Sequence, residues 1–552
     1  MSQEDEAGAQ DWEKIKKMHP STPVDVPALS AALSDHPNKC WVKYLITGLM
    51  QGFLAGLCCL PKVSHVCKNL RSALAEPSTV DELLAKEMRK GHLIGPFEGS
   101  PFSLFRVSPI GLATRKYSGK KRLIFDLSAP HRGDIPSINS LIPLQPFSLF
   151  YASVDHAAQM IKSAGTGAWL AKADIVDAFK VIPLHPSQWH LFGIKWRSKL
   201  YFAVKLTFGC RSSPRIFDTL SEALCWILYN TFKLPFVLHL LDDFLTIDYA
   251  SSPPARGITT IRKVFNTLGV PLSEEKTVGP VTRIEFLGIM LDSELMQAAL
   301  PLEKLLRTRE IIKGTVEAPA VSKRALLSLL GHLNFAMRII PHGRSFVSRL
   351  IDMSKTKKDL SDIIELDEGS RSDLNFWSLF LAQWNGISFF YNEEEESSEA
   401  MQFFTDAAPS VGFGGFFEGE WFAGAWPVEM QVLPQECKSI ALFELYPIVV
   451  AASLWGDKWA RRKISVRCDN EATVQVINKG RSSISIINKF IRRLTWLGLQ
   501  GNFVMRAEFI PGKQNRIADA LSRLKFQEFR KLCPEAAARG LAVPRFAEMT
   551  LD

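Results

Sequence analysis

The sequence predicts an α+β fold followed by a separate α/β unit. Three observations support this prediction. The 552 residues are too many for one hydrophobic core. Short apolar strands alternate with helical segments from about residue 76 to 300. The run YNEEEESSEA at 391–400 then interrupts the apolar pattern, as an acidic linker does.

The first 75 residues are predicted to form an N-terminal accessory region. Its start, MSQEDEAGAQDWEKIKK, is polar and acidic, unlike a secretory signal. The nearly uncharged stretch at 44–60 is interpreted as a buried helix, with a membrane span as the alternative. Nine cysteines without a repeated CxxC spacing fit a reducing compartment. We therefore expect an intracellular protein, in the nucleus or cytoplasm and not secreted, with no membrane partner.

The remaining boundaries follow from changes of pattern. Residues 76–300 carry the first strands and helices, and 301–390 are predicted to be helical because KRALLSLLGHLNFAMRII has apolar side chains at helical spacing. After the linker, 401–524 alternate strands and helices again, and 525–552 are interpreted as a C-terminal tail without chemistry. The formal charge of +9 favours a polyanionic partner.

Two adjacent aspartates, Asp242 and Asp243, separate two strand-like apolar runs in FVLHLLDDFLTID. This pattern indicates a hairpin, yet its turn lacks the glycine that such turns prefer. A solvated turn and a divalent-metal site are both open readings from these residues alone. Asp174 ends another apolar strand, and a strand-end aspartate beside an Asp-Asp hairpin can hold Mg²⁺ with oxygen ligands.

The second unit has four carboxylates on separate elements. Asp406 and Asp469 are predicted at strand ends, and Glu444 and Asp519 on inward-facing sides of helices. Buried acids are rare unless they are paired or bind a metal. Their convergence would form a two-metal site for phosphodiester hydrolysis.

Five motifs in order over about 190 residues resemble those of reverse transcriptases: RKYSGKKRLIFDLSAPHR, ADIVDAFKVIPLHP, KLTFGCRSSPRIFDTLSEAL, LHLLDDFL and LSEEKTVGPVTRIEFLGIMLD. The resemblance implies a right-hand polymerase (fingers, palm and thumb), with fingers and palm at 76–300 and a thumb or connection at 301–390. It implies that Asp174, Asp242 and Asp243 are the catalytic, metal-binding acids. It also implies substrate-binding roles for Arg115, Arg122, Phe179, Gly209 and Lys276. For Phe179, core packing is an equally open reading.

The C-terminal unit resembles the RNase H domain of retroelements, which has its acids in the order Asp, Glu, Asp, Asp. IPGKQNRIADALSR is similar to the end of that domain, although 507–518 contain no histidine. Two segments resemble sequences of the DIRS and Ngaro retrotransposons: DIVDAFKVIPLHPSQWHLFGIKW and TDAAPSVGFGGFFEGEWFAGAW. Members of this group use a tyrosine recombinase. The resemblance therefore implies a separately encoded recombinase as a partner.

Together these resemblances imply an RNA-directed DNA polymerase with RNase H activity. The expected cofactor is Mg²⁺, two ions per active site, with Mn²⁺ possible. The expected partners are an RNA template, a DNA primer, the RNA–DNA hybrid and deoxynucleoside triphosphates. The alternative is a catalytically inactive or domesticated nucleic-acid-binding protein that retains the fold.

Overall fold

The computed structural model describes residue 15 and residues 18–114, 119–149, 151–384, 388–389, 396–397, 400–511 and 515–551. The chain divides into two compact units, Met1–Ile284 and Glu285–Asp552. Most of the predicted linker lies outside the described residues. Within it, Glu396–Ser397 form a short strand that pairs in parallel with Ile464 and Ser465, so this part of the run is not structureless as predicted.

The elements of the first unit alternate between helices and strands. Its helices are α1 (Val26–Ala32), α2 (Lys39–Gln51), α3 (Arg71–Ala75), α4 (Pro77–Arg89), α5 (Val154–Ala164), α6 (Ser213–Asn230) and α7 (Arg256–Thr267). Its strands are β1 (His65–Val66), β2 (Leu93–Phe97), β3 (Arg106–Val107), β4 (Ile110–Thr114), β5 (Lys121–Phe125), β6 (Trp169–Asp174), β7 (Gly193–Trp196), β8 (Lys199–Ala203), β9 (Phe236–Leu240), β10 (Asp243–Asp248) and β11 (Val278–Val281).

A four-stranded sheet in the order β11-β6-β10-β9 is the centre of the first unit. Its strands are antiparallel, and α5, α6 and α7 pack against it. Phe244 on β10 meets Phe265 on α7 edge to face at 5.1 Å, and both are buried. A five-stranded sheet, β1-β3-β7-β8-β2, and the β4–β5 hairpin complete this unit. The predicted α+β fold is confirmed.

The predicted buried helix over 44–60 is wrong in its second half. Helix α2 ends at Gln51, and Gly52 has a φ of 89°, a conformation that favours glycine. A side chain at Gly52 would also lie 2.6 Å from the backbone of Leu184 and His185. The chain then pairs with that backbone through Phe53, while Met50 is exposed. The N-terminal region is therefore built into the first unit.

The second unit holds the predicted thumb helices and the predicted α/β unit. Its helices are α8 (Leu302–Glu317), α9 (Lys323–Ala336), α10 (Ser348–Lys355), α11 (Glu368–Trp384), α12 (Val428–Gln431), α13 (Ile440–Trp455), α14 (Glu471–Lys479), α15 (Ser485–Gln500), α16 (Arg516–Ser522) and α17 (Phe526–Leu532). Its strands are β12 (Arg283–Phe286, beginning at the boundary), β13 (Ile289–Asp292), β14 (Gln297–Ala299), β15 (Ala320–Ser322), β16 (Ile363–Glu365), β17 (Ser388–Phe389), β18 (Glu396–Ser397), β19 (Phe403–Ala408), β20 (Gly412–Phe417), β21 (Glu420–Ala425), β22 (Lys463–Cys468) and β23 (Val504–Phe509).

Two three-stranded sheets organise the C-terminal part of this unit. Strands β19, β20 and β21 form an antiparallel meander, and β18, β22 and β23 are parallel. Strands β19 and β22 are neighbours, and α13 and α16 pack against β19 and β20. In the described part of the chain, one helical stretch, Ile440–Trp459, is long and apolar enough to cross a membrane. Of its most apolar window, 72% is buried inside the protein, as in a core helix.

Helix α11 packs directly on α15 within the second unit. Phe380 and Trp496 stack with ring centres 5.8 Å apart, and Arg492 on α15 forms an ion pair with Asp373 on α11. Asp373 is buried, and Arg349 contributes a second positive charge at 3.6 Å. The predicted helical segment and the predicted nuclease unit therefore share one packed interface.

The segment 525–552 is not a loose tail. Phe529 on α17 is fully buried in a small core with Phe416 and Leu521, and Met549 is buried in the main core of the α/β unit. The Arg530 guanidinium donates hydrogen bonds to the carbonyl oxygens of residues 536–538 and holds this segment in place.

Candidate active sites

The sheet of the first unit places two of the predicted polymerase acids face to face. Asp174 is the last residue of β6 and Asp243 is the first residue of β10, and they are partners in the antiparallel register. Such partners have Cβ atoms about 4.5–5.5 Å apart. The Ile175 N–H donates to the carbonyl oxygen of Asp242 at 3.1 Å, so the third acid is tied to the same strand end.

The hairpin turn is displaced by one residue from its predicted position. Leu240 pairs with Asp243, so the two turn residues are Leu241 and Asp242, and Asp243 belongs to the strand. Leu241 occupies the position with positive φ, at 54°, which is strained for a bulky side chain. The Ser221 hydroxyl donates to the Leu241 carbonyl oxygen at 2.8 Å and helps to hold this turn.

Charge at this site is partly balanced by lysine. Lys276 Nζ donates to both carboxylate oxygens of Asp174, at 2.7 and 2.8 Å. Burial, together with the negative charges of Asp242 and Asp174, raises the pKa of Asp243 to about 6. Three oxygen-donor groups that repel one another fit a divalent cation. The Lys276 ammonium stands beside Asp174 and would compete with that cation.

Of the other predicted substrate-binding residues, the structure describes Phe179, Gly209 and Arg122. Phe179 is buried and packs against Phe208 and Phe217, at 4.8 and 5.6 Å between ring centres, so core packing is part of its role. Gly209 has a φ of 92°, and a Cβ there would lie 2.4 Å from the Phe125 carbonyl oxygen. Arg122 is exposed on β5. Arg115 lies outside the described residues.

The four acids of the second unit come together as a cluster. Asp406 lies on β19, Glu444 on α13 and Asp469 directly after β22, and Asp519 lies on α16. Close approach of α16 is possible because its Leu521 packs on Gly414, which pairs with Asp406 in the sheet. Two details differ from prediction. Asp406 lies inside its strand, and the Asp519 side chain is 44% exposed and paired with Arg523.

The electrostatics of this cluster are those of crowded acids. Burial, with the charges of Asp406 and Asp469, raises the pKa of Glu444 to about 9, although the Ala407 backbone N–H opposes the shift. Burial raises the pKa of Asp406 to about 6. The Ser522 hydrogen bond lowers that pKa, whereas the charges of Asp519 and Asp469 raise it. A divalent cation would relieve this repulsion, so the donor set fits one.

Two neighbours of these acids were missed by the sequence analysis. The Ser522 hydroxyl donates to Asp406 Oδ2 at 2.5 Å. Ser522 lies three residues after Asp519 on a helix, and this spacing could have indicated that both side chains are on the same face. Cys468 brings its sulfur to the carboxylates of Glu444 and Asp469. Among the described residues this is the one group of three potential metal ligands whose donor atoms all lie within 4.8 Å of one another.

The antiparallel sheet with its packed helices and paired carboxylates beside a hairpin defines the palm of a right-hand polymerase. Residues 115–291 match the family model described as reverse transcriptase (RNA-dependent DNA polymerase). This segment, most of which lies in the first unit, is therefore similar to reverse transcriptase domains.

Parts of the chain are also similar to individual proteins. Protein P of Duck hepatitis B virus (strain China) is 28% identical over 169 residues, which are 30% of this chain and 21% of that protein. The Pro-Pol polyprotein of Simian foamy virus type 1 is 26% identical over 244 residues, or 43% of this chain and 18% of that protein. The chain thus spans about a fifth of the length of these curated relatives. A solved foamy viral protease-reverse transcriptase in complex with an RNA/DNA hybrid has a TM-score of 0.48 and 14% identity, covering 89% of this chain and 63% of that one.

Proposed function

We propose that this chain is an RNA-directed DNA polymerase that also hydrolyses the RNA strand of the hybrid it makes. The observation that carries the proposal is the opposition of Asp174 and Asp243 at the end of β6, inside the segment that matches the reverse transcriptase model. This is the position at which a growing primer end and an incoming triphosphate could share one set of carboxylates.

In the polymerase site the carboxylates of Asp174, Asp242 and Asp243 would hold two Mg²⁺ ions, or Mn²⁺. These ions would supply activation of the primer hydroxyl and stabilisation of the leaving pyrophosphate. Arg122 and Arg115 would bind the triphosphate, since its charge needs cationic partners. Gly209 lets the chain approach the carbonyl of Phe125, which keeps the floor of the site compact. Lys276 orients Asp174 through both of its oxygens.

The nuclease site would use Asp406, Glu444, Asp469 and Asp519 to hold a second pair of Mg²⁺ ions for phosphodiester hydrolysis. Ser522 supports this role because its hydroxyl fixes the rotamer of Asp406. The convergence of four acids from two strands and two helices is the support for this second activity. Glu444 lies buried on an apolar helix, where a bound cation would offset the cost of burying its carboxylate.

The substrates that follow are an RNA template, a DNA primer, their hybrid and deoxynucleoside triphosphates. The sequence similarity of the motifs supports an origin in a DIRS- or Ngaro-type retrotransposon. Its partner would be a separately encoded tyrosine recombinase. The chain would act inside the cell, in the nucleus or cytoplasm. The net charge of +9 supports the polyanionic substrate.

A pair of matched variants tests the proposal. Asp242→Asn should abolish primer extension on an RNA template with Mg²⁺ and leave cleavage of RNA in a preformed hybrid intact. Asp469→Asn should do the reverse, so each folded variant is the control for the other. Loss of both activities from one substitution would contradict the two-site model. Absence of both from the unaltered, folded chain would favour the inactive nucleic-acid-binding alternative.

A further inference from the structure

A cavity of about 550 Å³ lies beside the edge strand β9, on the side covered by α6. Its walls include Tyr151, Glu222, Cys225, Trp226, Tyr229 and His239. None of these residues has a role in the polymerase chemistry above. The cavity is therefore a separate feature of the same sheet that carries Asp243.

Three side chains in this wall form a connected row. Cys225 Sγ lies 3.2 Å from His239 Nδ1, and His239 Nε2 lies 3.1 Å from Asp218 Oδ1. Asp218 is held in turn by Arg215, whose Nη1 lies 3.1 Å from Oδ2. Both ring nitrogens of His239 thus have a partner, with a carboxylate on one side and a sulfur on the other.

The charge on His239 follows from these contacts. Burial lowers the pKa of His239, but its hydrogen bonds to Asp218 and Cys225 outweigh burial and raise the pKa to about 10. The ring is therefore a cation at neutral pH, with Nε2–H donating to the carboxylate and Nδ1–H donating to the sulfur. A cysteine sulfur in contact with an imidazole ring that a carboxylate orients has the arrangement that activates a thiol as a nucleophile.

We propose that Cys225 is a modification site that undergoes exchange with low-molecular-weight disulfides. The Cys225 thiolate attacks one sulfur of the reagent, the reagent's S–S bond breaks, and a new S–S bond forms at Cys225. The electron pair of the broken bond leaves on the second sulfur, which takes a proton from water. An external thiol reverses the reaction by the same exchange.

The charged groups around the cavity select the reagent. Asp218 and Glu222 face it from α6, where both are paired with Arg215, and His156 faces it from α5. Because Arg215 is paired with both carboxylates, the wall offers carboxylate oxygens more readily than free cations. Cationic disulfides such as cystamine should therefore react faster than anionic ones of similar size.

Modification of Cys225 should stop primer extension at the polymerase site. A group attached to Cys225 adds bulk between α6 and β9, where the Cys225–His239 contact joins them, and so displaces β9, the strand paired with the start of β10. The same helix holds the hairpin turn through Ser221. This consequence rests on the proposed polymerase function, whereas the thiol chemistry does not.

The test measures occupancy and activity separately on the full chain. Cystamine is added under native conditions at about pH 6, and peptide mapping by mass spectrometry follows each cysteine with time. The exposed Cys40 is the internal control. We expect Cys225 to react at least about tenfold faster than Cys40, because the oriented imidazole of His239 activates the Cys225 sulfur. Equal rates would overturn the proposal.

Two variants keep this result decisive. His239→Gln should slow the reaction of Cys225 to the rate of Cys40. Where that variant does not fold, Asp218→Asn answers the same question, since it removes the carboxylate that orients the His239 ring. An unchanged Cys225 rate in a folded variant would refute activation by His239.

Activity then separates this inference from the proposed function. Cystamine should stop primer extension by the unaltered chain, dithiothreitol should restore it, and Cys225→Ala should extend normally with or without cystamine. RNA cleavage should not change. Rapid labelling of Cys225 with normal extension would overturn the coupling to the polymerase site. Rapid labelling of a chain that never extends a primer would leave the modification site standing and refute the proposed function.

Discussion

Replacement of Glu444 by glutamine should stabilise the metal-free second unit at alkaline pH. Burial and the charges of Asp406 and Asp469 raise the pKa of Glu444 from 4.5 to about 9. The folded state therefore keeps a proton that the unfolded state releases between these two pH values. Since the unfolded state binds fewer protons in that window, stability falls as the pH rises through it.

The magnitude follows from the size of the shift. Each pKa unit corresponds to about 1.36 kcal/mol, so at about pH 8 the carboxyl costs the folded state up to about 5 kcal/mol. Relaxation and water penetration around buried charges reduce such costs, and we expect about 2–4 kcal/mol for Glu444→Gln. The gain should shrink as the pH falls toward 4.5 and vanish about two pH units below it, where the carboxyl is protonated in both states.

The assay is urea unfolding of a fragment of residues 285–552, one compact unit of the structure, in EDTA at about pH 5 and pH 8. Glu436→Gln is the matched control because Glu436 is an exposed carboxylate in the same unit and should show no pH-dependent gain. The reasoning fails if Glu444→Gln destabilises the fragment at pH 8, or if the gain is the same at both pH values. The same substitution should abolish RNA cleavage, which separates stability from activity.

Four further predictions concern single features of the sites. Ser522→Ala removes the hydrogen bond to Asp406, so the pH at which RNA cleavage is half-maximal should rise; an unchanged pH–rate profile would contradict this. Lys276→Gln removes the ammonium that competes with the metal ion for Asp174. A Mg²⁺ titration of primer extension should therefore reach half-saturation at a lower Mg²⁺ concentration than in the unaltered chain, and a higher concentration would refute this. Gly209→Ala would place a Cβ at a positive φ and against the Phe125 carbonyl oxygen. Thermal unfolding should show the first unit destabilised by more than about 1–3 kcal/mol, while RNA cleavage is retained. A stability equal to that of the unaltered chain would refute this. Affinity for an RNA–DNA hybrid should fall steeply with salt, and a flat dependence measured by fluorescence anisotropy would contradict the nucleic-acid substrate.

The sequence was most informative where chemistry and local pattern coincide. Asp174 and Asp243 stand at strand ends because a run of apolar residues stops there, and a hairpin necessarily brings its strands together. The turn itself was displaced by one residue because strand pairing, which sequence does not show, draws Asp243 into β10. The strain falls on Leu241, a residue that no turn preference would select.

Helix and tail boundaries were less predictable because they depend on distant contacts. The apolar run at 44–60 continues through Gly52, and only the backbone of His185 explains why the helix stops there. Asp519 was expected to face inwards from its apolar neighbours, yet Arg523 one turn later draws it toward solvent. The segment 525–552 has no motif, and its burial depends on the core formed by Phe529.

The row of Cys225, His239 and Asp218 shows a further limit. Cys225 and Asp218 lie seven residues apart on one helix, and His239 is on a strand of the hairpin. No spacing rule joins a helix face to an edge strand, so only the folded chain reveals this contact.

The ion pair between Asp373 and Arg492 has a consequence for how the chain can be shortened. A version that stops before α15 would keep Asp373 inside the protein without its closest positive partner and would uncover Phe376 and Phe380. A buried carboxylate without its partner is strongly destabilising, by about 3–5 kcal/mol. A chain that lacks α15 would thus lose part of the packing of the helical segment at 301–390. A variant that discards the segment from α15 onward would have to replace Asp373 and this aromatic surface in the same step.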